Sequence, residues 1–262
     1  MIDYLVRPFF QYLPTDLGAI AAAMIWGQKQ YLTSQQYQVW QTTGLLHLLV
    51  LSGQNITLLV NFLQIFTKRL GLKWQLLITI LVAIFYLVIF GTEAPIVRAS
   101  VMAILSSLVI FEQTTTPPLY LLLLTASLMV IVKPEWLTSL SFQLSFAATL
   151  GILVFYPYFQ ARFKFKSALS KMFFVSLSAQ LLTTPLLLVT FREISVLALF
   201  INTLVALLVE PIMLVGIITS LAGNWIDIIN MALSLILFGL LGILNWLVNV
   251  CYPLSLLMQL RI

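Results

Sequence analysis

Charge is scarce in this sequence: Lys, Arg, Asp and Glu together make up 8% of its 262 residues, where a soluble domain carries about a quarter. So few charged groups cannot dress the surface of a water-soluble fold of this size. Cysteine and histidine are scarcer still. Cys251 stands alone, which excludes an intrachain disulfide and a cysteine metal cluster, and His47 stands alone, which excludes a two-histidine metal site. No metal and no cofactor is therefore expected. A Gly-x-x-x-x-Gly-Lys-Ser/Thr phosphate loop is absent too, so any nucleotide-driven work would fall to a partner. The opening, Met1 to Pro8, has none of the basic start, apolar run and small-residue cleavage site of a secretory signal. Insertion is expected to use the chain's own helices.

What is present is apolar length. Hydrophobic residues make up 61% of the chain, and they fall in long runs separated by short polar punctuation, each long run approaching the roughly 20 residues that cross a bilayer. The expected fold is an all-α polytopic integral membrane protein of about eight membrane segments, some broken or half-inserted, with short interfacial helices. The segments are placed at residues 44–66, 74–90, 96–111, 119–132, 136–155, 172–189, 194–221 and 225–250, within a single domain spanning 1–262. Residues 1–42 form an N-terminal interfacial or half-inserted region in which Thr33 and Gln36 have capping-box spacing. All six tryptophans, at 26, 40, 74, 136, 225 and 246, lie near proposed segment ends or on the interfacial stretch, as in an aromatic belt. If the segments alternate, Lys68, Arg69 and Lys73 share a side with Arg162, Lys164, Lys166 and Lys171, and the positive-inside rule makes that side cytoplasmic.

Polar residues inside the apolar runs are the candidate functional groups. His47, Ser52, Gly53, Gln54 and Asn55 interrupt the first long segment, with Thr57 and Asn61 beyond them. Irregular backbone at membrane depth persists only where protein or water satisfies it, so a break lining a wet cavity is expected at Ser52 to Asn55. The competing reading is that the same groups serve as hydrogen-bonding glue between helices. Ser52-Gly53 does not make a serine protease: Val50 stands where Gly-x-Ser-Gly needs its first glycine, and the one histidine lies on the same segment. Arg98 is the one basic residue placed within a span, either holding a phosphate oxygen with its planar fork of donors or pairing with Glu93. Ser141, Gln143 and Ser145 enrich the start of a later segment, and Ser141 and Ser145 share a helical face. Glu210 and Pro211 sit deep in their span, where a kink is expected and the carboxylate needs a partner, a proton or water.

The order and wording of these blocks resemble the ComEC-type competence proteins. Gly44-Leu-Leu-His47-Leu-Leu-Val-Leu-Ser52-Gly53 is similar to that family's Gly-Leu-x-His-Leu-Leu-Ala-x-Ser-Gly block. Tyr86 to Gly91 with Arg98-Ala99-Ser100-Val101-Met102 follows its Tyr and Gly with Arg-Ala-x-x-Met, and Ser141-Phe142-Gln143-Leu144-Ser145-Phe146 its Ser-Phe-Gln-Leu-Ser-Phe block. Residues 179–191 and 202–211 resemble its later proline-bearing helices. The resemblance runs from about residue 17 to 225. It implies a multi-pass channel in the bacterial cytoplasmic membrane that carries single-stranded DNA during natural transformation, and not an enzyme. His47, Ser52, Gly53, Gln54, Asn55, Arg98, Ser141, Gln143 and Ser145 would line the path, with Glu93, Glu210 and Pro211 in structural or ion-pair roles. The soluble oligonucleotide-binding and metallo-β-lactamase-like regions of full-length relatives have no counterpart in this sequence. Expected partners are single-stranded DNA, membrane lipid, separate receptor, nuclease and motor proteins, and a second copy of the chain if it oligomerises. A small-solute permease built on the broken segment and a non-transporting scaffold are the competing readings.

Overall fold

The computed structural model describes residues 2–49, 53–191, 193–195, 197–222, 227–257 and 259–261. Among these the regular structure is helical apart from two three-residue strands. Three N-terminal helices, α1 (Ile2–Tyr12), α2 (Thr15–Trp26) and α3 (Ser34–Thr42), precede α4 (Gly53–Thr67), α5 (Leu72–Phe90), α6 (Ala94–Phe111) and α7 (Pro118–Val132). Then come α8 (Leu140–Phe163), α9 (Ala168–Phe191), α10 (Ala198–Ala222) and α11 (Asp227–Leu257). Strand β1 (Glu193–Ser195) pairs antiparallel with β2 (Gln259–Arg261).

Helices α4 to α11 fall on the eight expected segments. Six of them, α5, α6, α8, α9, α10 and α11, are long and apolar enough to cross a membrane. The 15 residues of α4 and of α7 rise only about 22 Å, short of a hydrocarbon core about 30 Å thick. Several boundaries differ from expectation. Trp136 belongs to a 3₁₀ turn (Pro134–Thr138), and α8 begins only at Leu140, where Ser139 accepts the Phe142 N–H as its N-cap. Residue 194 lies in β1, so α10 starts four residues later. Pro211 sits inside α10 without ending it, since its missing N–H is one bond among a full helix of them.

The described chain divides into two compact units: Met1–Leu51, Lys166–Ser176 and Leu187–Ile262 in the first, Ser52–Phe165 and Leu177–Leu186 in the second. In the first unit α2 is the centre. Every residue from Leu17 to Trp26 is buried, because Gly18, Ala19 and Ala21 to Ala23 leave no polar face to turn outward. This corrects the expectation of an interfacial helix there: α2 packs against α1, α10 and α11. Ile25 fills the notch left by Gly216 on α10, where a Cβ would collide with it. Trp26 Nε1 donates to Ser220 Oγ at 3.0 Å, and Ser220 Oγ donates to the Leu5 carbonyl at 2.6 Å, joining α2, α10 and α1 by one buried chain. Trp26, Trp40 and Trp136 are all buried, so they belong to the core and not to an interfacial belt. Trp74 and Trp246 are exposed as a belt requires, and Trp225 lies outside the described residues.

The N-terminal turns follow their sequence signals. Thr33 and Gln36 form the reciprocal capping box that starts α3. Its end is a Schellman turn, with Gly44 N–H on Gln41 O at 3.0 Å and Leu45 N–H on Trp40 O at 2.9 Å. Gly44 adopts φ +75°, and a Cβ there would come within 2.7 Å of Ala198. Only glycine fits both demands.

The second unit is built on the α5–α6 hairpin. Gly91 makes the turn at φ +81° and ψ −172°, a region open essentially to glycine alone, and Glu93 with Pro95 starts α6 in extended-then-helical order. A buried polar knot binds three helices here. Ser107 Oγ of α6 donates to Thr79 Oγ1 of α5 at 3.0 Å, Gln64 Nε2 of α4 reaches the same oxygen at 3.3 Å, and Thr79 donates to the Gln75 carbonyl at 2.9 Å. Gly151 of α8 allows the backbone of α9 to approach, since a Cβ would collide with the Ser178 carbonyl oxygen. Ala94, Met129, Trp136 and Phe142 close an apolar cluster around α6, α7 and the start of α8.

Candidate functional site

Arg98 leaves α6 about one turn from its start and meets one face of α8. Its Nε donates to Ser145 Oγ at 2.7 Å, its Nη1 to Thr149 Oγ1 at 2.6 Å, and Nη1 also lies 3.9 Å from the Met102 sulfur. Ser145 and Thr149 can both reach it because i, i+4 residues stack on one helical face. Thr149 spends its own proton on the Ser145 carbonyl at 3.0 Å, so its oxygen is fixed as an acceptor for the guanidinium. Thr149 was not among the residues expected to line the path, yet its four-residue spacing from Ser145 was the available signal.

Every polar partner of Arg98 among the described residues is neutral. Glu93, the acid expected to pair with it, is exposed at the N-cap of α6 and forms no ion pair with it. A guanidinium carries five N–H donors, and Nη2 has no acceptor among the described residues. The charge is therefore held in place without being neutralised. At membrane depth that arrangement is costly unless water or an anion completes it, and a planar fork with free donors suits a phosphate oxygen.

The other expected site residues are scattered over both units. On α8, Ser141 is exposed one turn before Ser145, while Gln143 turns back and donates to the Leu137 carbonyl at 3.0 Å, bracing the 3₁₀ turn. Residue Ser52 lies outside the described residues, and Gly53 and Gln54 start α4 in helical conformation. Asn55 is buried at 5% exposure in the same first turn. Gln54 and Asn55 are thus helical in backbone where a departure was expected. Farther along α4, Thr57 and Asn61 are exposed at i, i+4 spacing.

In the first unit, His47 occupies a short 3₁₀ turn (Leu46–Leu48), exposed, with Nδ1 3.1 Å from the Gly44 carbonyl. A carbonyl only accepts, so Nδ1 carries a proton in that contact. Glu210 is exposed midway along α10 and Pro211 half-buried beside it. No cluster of His, Cys, Asp and Glu that could hold a metal exists among the described residues.

Comparison with known proteins gives the family. The profile of the Competence protein family, described as "Competence protein", matches residues 24–259. ComE operon protein 3 of Bacillus subtilis (strain 168) is 27% identical over 198 residues, covering 73% of this chain and 25% of that protein. An uncharacterized protein of Aquifex aeolicus (strain VF5) is 29% identical over 242 residues, covering 92% of this chain and 55% of that protein. The chain thus spans a quarter to about half of the length of these relatives. No solved structure matches it. By the extent of the family match, the chain is a multi-pass membrane protein belonging to the Competence protein family.

Proposed function

We propose that this member of the Competence protein family forms a passage for single-stranded DNA across the bacterial cytoplasmic membrane, with Arg98 as a phosphate contact within the span. The observation carrying this reading is the uncompensated guanidinium: Arg98 is held by two hydroxyls and a thioether on α6 and α8, with no carboxylate beside it. Moving a strand requires no covalent chemistry, so no catalytic residue is needed and the chain is not an enzyme in this reading. What passage requires is a track of donors and cations for phosphates together with surfaces tolerant of any base. Ser141, Thr57 and Asn61 would supply exposed neutral polar groups along α8 and α4. Receptor, nuclease and motor proteins are the partners this reading proposes.

The test uses cells lacking the native chain, complemented with wild type, Arg98→Ala or Arg98→Lys, and measures transformation frequency alongside membrane protein level. Losing one partner of a desolvated charged contact costs about 2–5 kcal/mol, so alanine should lower transformation by on the order of 100-fold or more at near-normal abundance. Lysine should restore only part of it, having the charge without the planar fork. Normal transformation by Arg98→Ala at normal abundance would contradict the assignment.

A further inference from the structure

Outside the Arg98 region, the first unit carries a cavity of about 420 Å³ walled by Tyr12 of α1 and by one face of α11. Ile228, Met231, Leu235 and Phe238 project there at three- and four-residue spacing, and all four are strongly exposed, from 45% at Phe238 to 85% at Ile228. Ala232, small and exposed, leaves the groove open between them. Ser234, also in the wall, has a hydroxyl with no partner among the described residues. From residue 228 to 238 a helix rises about 15 Å, the hydrocarbon depth of one bilayer leaflet. Because α11 is long and apolar enough to cross a membrane, an open apolar channel of this length on its flank suits an acyl chain better than water.

The polar end of the groove sets which lipid. Tyr12 OH donates to Asp227 Oδ1 at 3.0 Å, and Gln11 Nε2 donates to Tyr12 OH at 3.2 Å. The hydrogen bond to the Asp227 carboxylate holds the Tyr12 phenol above its ordinary pKa, so it stays a neutral donor. The second oxygen of Asp227 has no partner among the described residues, and no lysine or arginine lines the groove. Asp227, bonded to Tyr12 and directly preceding Ile228, therefore sets a carboxylate at this end of the groove with one oxygen not taken among the described residues. A primary ammonium meets both features; a quaternary ammonium has no N–H to donate, and an anionic headgroup is repelled.

We propose that the groove between α1 and α11 is a binding site for one phospholipid with a primary-amine headgroup, its acyl chain along Ile228 to Phe238 and its ammonium on Asp227. The site is independent of the DNA reading, and its occupancy does not require Arg98. The test is native mass spectrometry of the full chain in detergent, titrated in turn with phosphatidylethanolamine, phosphatidylcholine and phosphatidylglycerol of one acyl composition. Phosphatidylethanolamine should be retained best. Asp227→Asn keeps an acceptor for Tyr12 but removes the charge, and should weaken that retention about tenfold while leaving helicity unchanged. Ala232→Phe fills the groove and should reduce retention of all three lipids. Equal retention of the three by the wild type, or phosphatidylethanolamine binding untouched by Asp227→Asn, would overturn the proposal.

Discussion

The two units are fastened by different contacts. The first encloses an apolar helix: α2 has no exposed residue between Leu17 and Trp26, and its contacts with α10 are set by a glycine notch and a tryptophan hydrogen bond. The second is fastened by polar contacts between helices, the Thr79 knot among α4, α5 and α6 and the Arg98 contacts between α6 and α8, whereas polar side chains buried in the first, Asn230, Ser234 and Ser255 among them, have no partner among the described residues. Stability in the first rests on close packing of small residues, the device that lets membrane helices approach. In the second, the knot is fully satisfied and the Arg98 charge is not. A satisfied network is a fastener, whereas an unsatisfied charge at membrane depth is a feature that function must explain.

Substitutions can break this contrast. The largest structural effect is expected at Gly216, where any side chain meets Ile25. Gly216→Leu should cost about 1–3 kcal/mol or more through overpacking and sharply reduce membrane abundance, while Gly239→Leu, at a glycine with nothing within 4 Å, should not. Normal abundance of Gly216→Leu would mean α2 is not held as described. Next, Thr79→Val removes the shared oxygen of the knot and leaves Ser107 and Gln64 short of a partner, for an expected loss of about 1–3 kcal/mol. A fall in the thermal midpoint of the purified protein measures it, and Ser107→Ala combined with Thr79→Val should be less than additive because the two touch. The smallest effect is expected from Glu93→Gln. With no ion pair to Arg98 and an exposed position, it should change stability by no more than about 0.5 kcal/mol and leave transformation intact.

Much of this architecture was legible in the sequence. Apolar run length located α4 to α11, and the Thr33–Gln36 spacing gave the start of α3, because both are local signals with a direct physical cause. The errors came from tertiary context. Trp26 and Trp40 look like interfacial anchors in a one-dimensional reading, but Trp26 finds an internal acceptor in Ser220, 194 residues away, which no local pattern reveals. The enclosure of α2 was hidden for the same reason: a 12-residue apolar helix is too short to span, and only the surrounding helices decide whether it lies at the surface or at the centre. Arg98 was found because a cation in an apolar run stands out. Its partners were not fully found, since sequence suggested the nearby Glu93 while the fold brought Ser145 and Thr149, 47 and 51 residues away. Gln143 was selected by its place in a polar run, yet its side chain serves a neighbouring carbonyl.

The central claim is that the polar face of α8 beside Arg98 is wet and carries the strand. The single native cysteine, Cys251, makes a cysteine-free background a one-residue change, Cys251→Ala. In that background Ser141→Cys places a thiol on the exposed first turn of α8, and its reaction with a membrane-impermeant methanethiosulfonate is followed in cells with and without transforming DNA. Rapid modification in resting cells, slowed severalfold while DNA is in transit, is the predicted result; a thiol that never reacts, or that reacts at the same rate during transit, would contradict it.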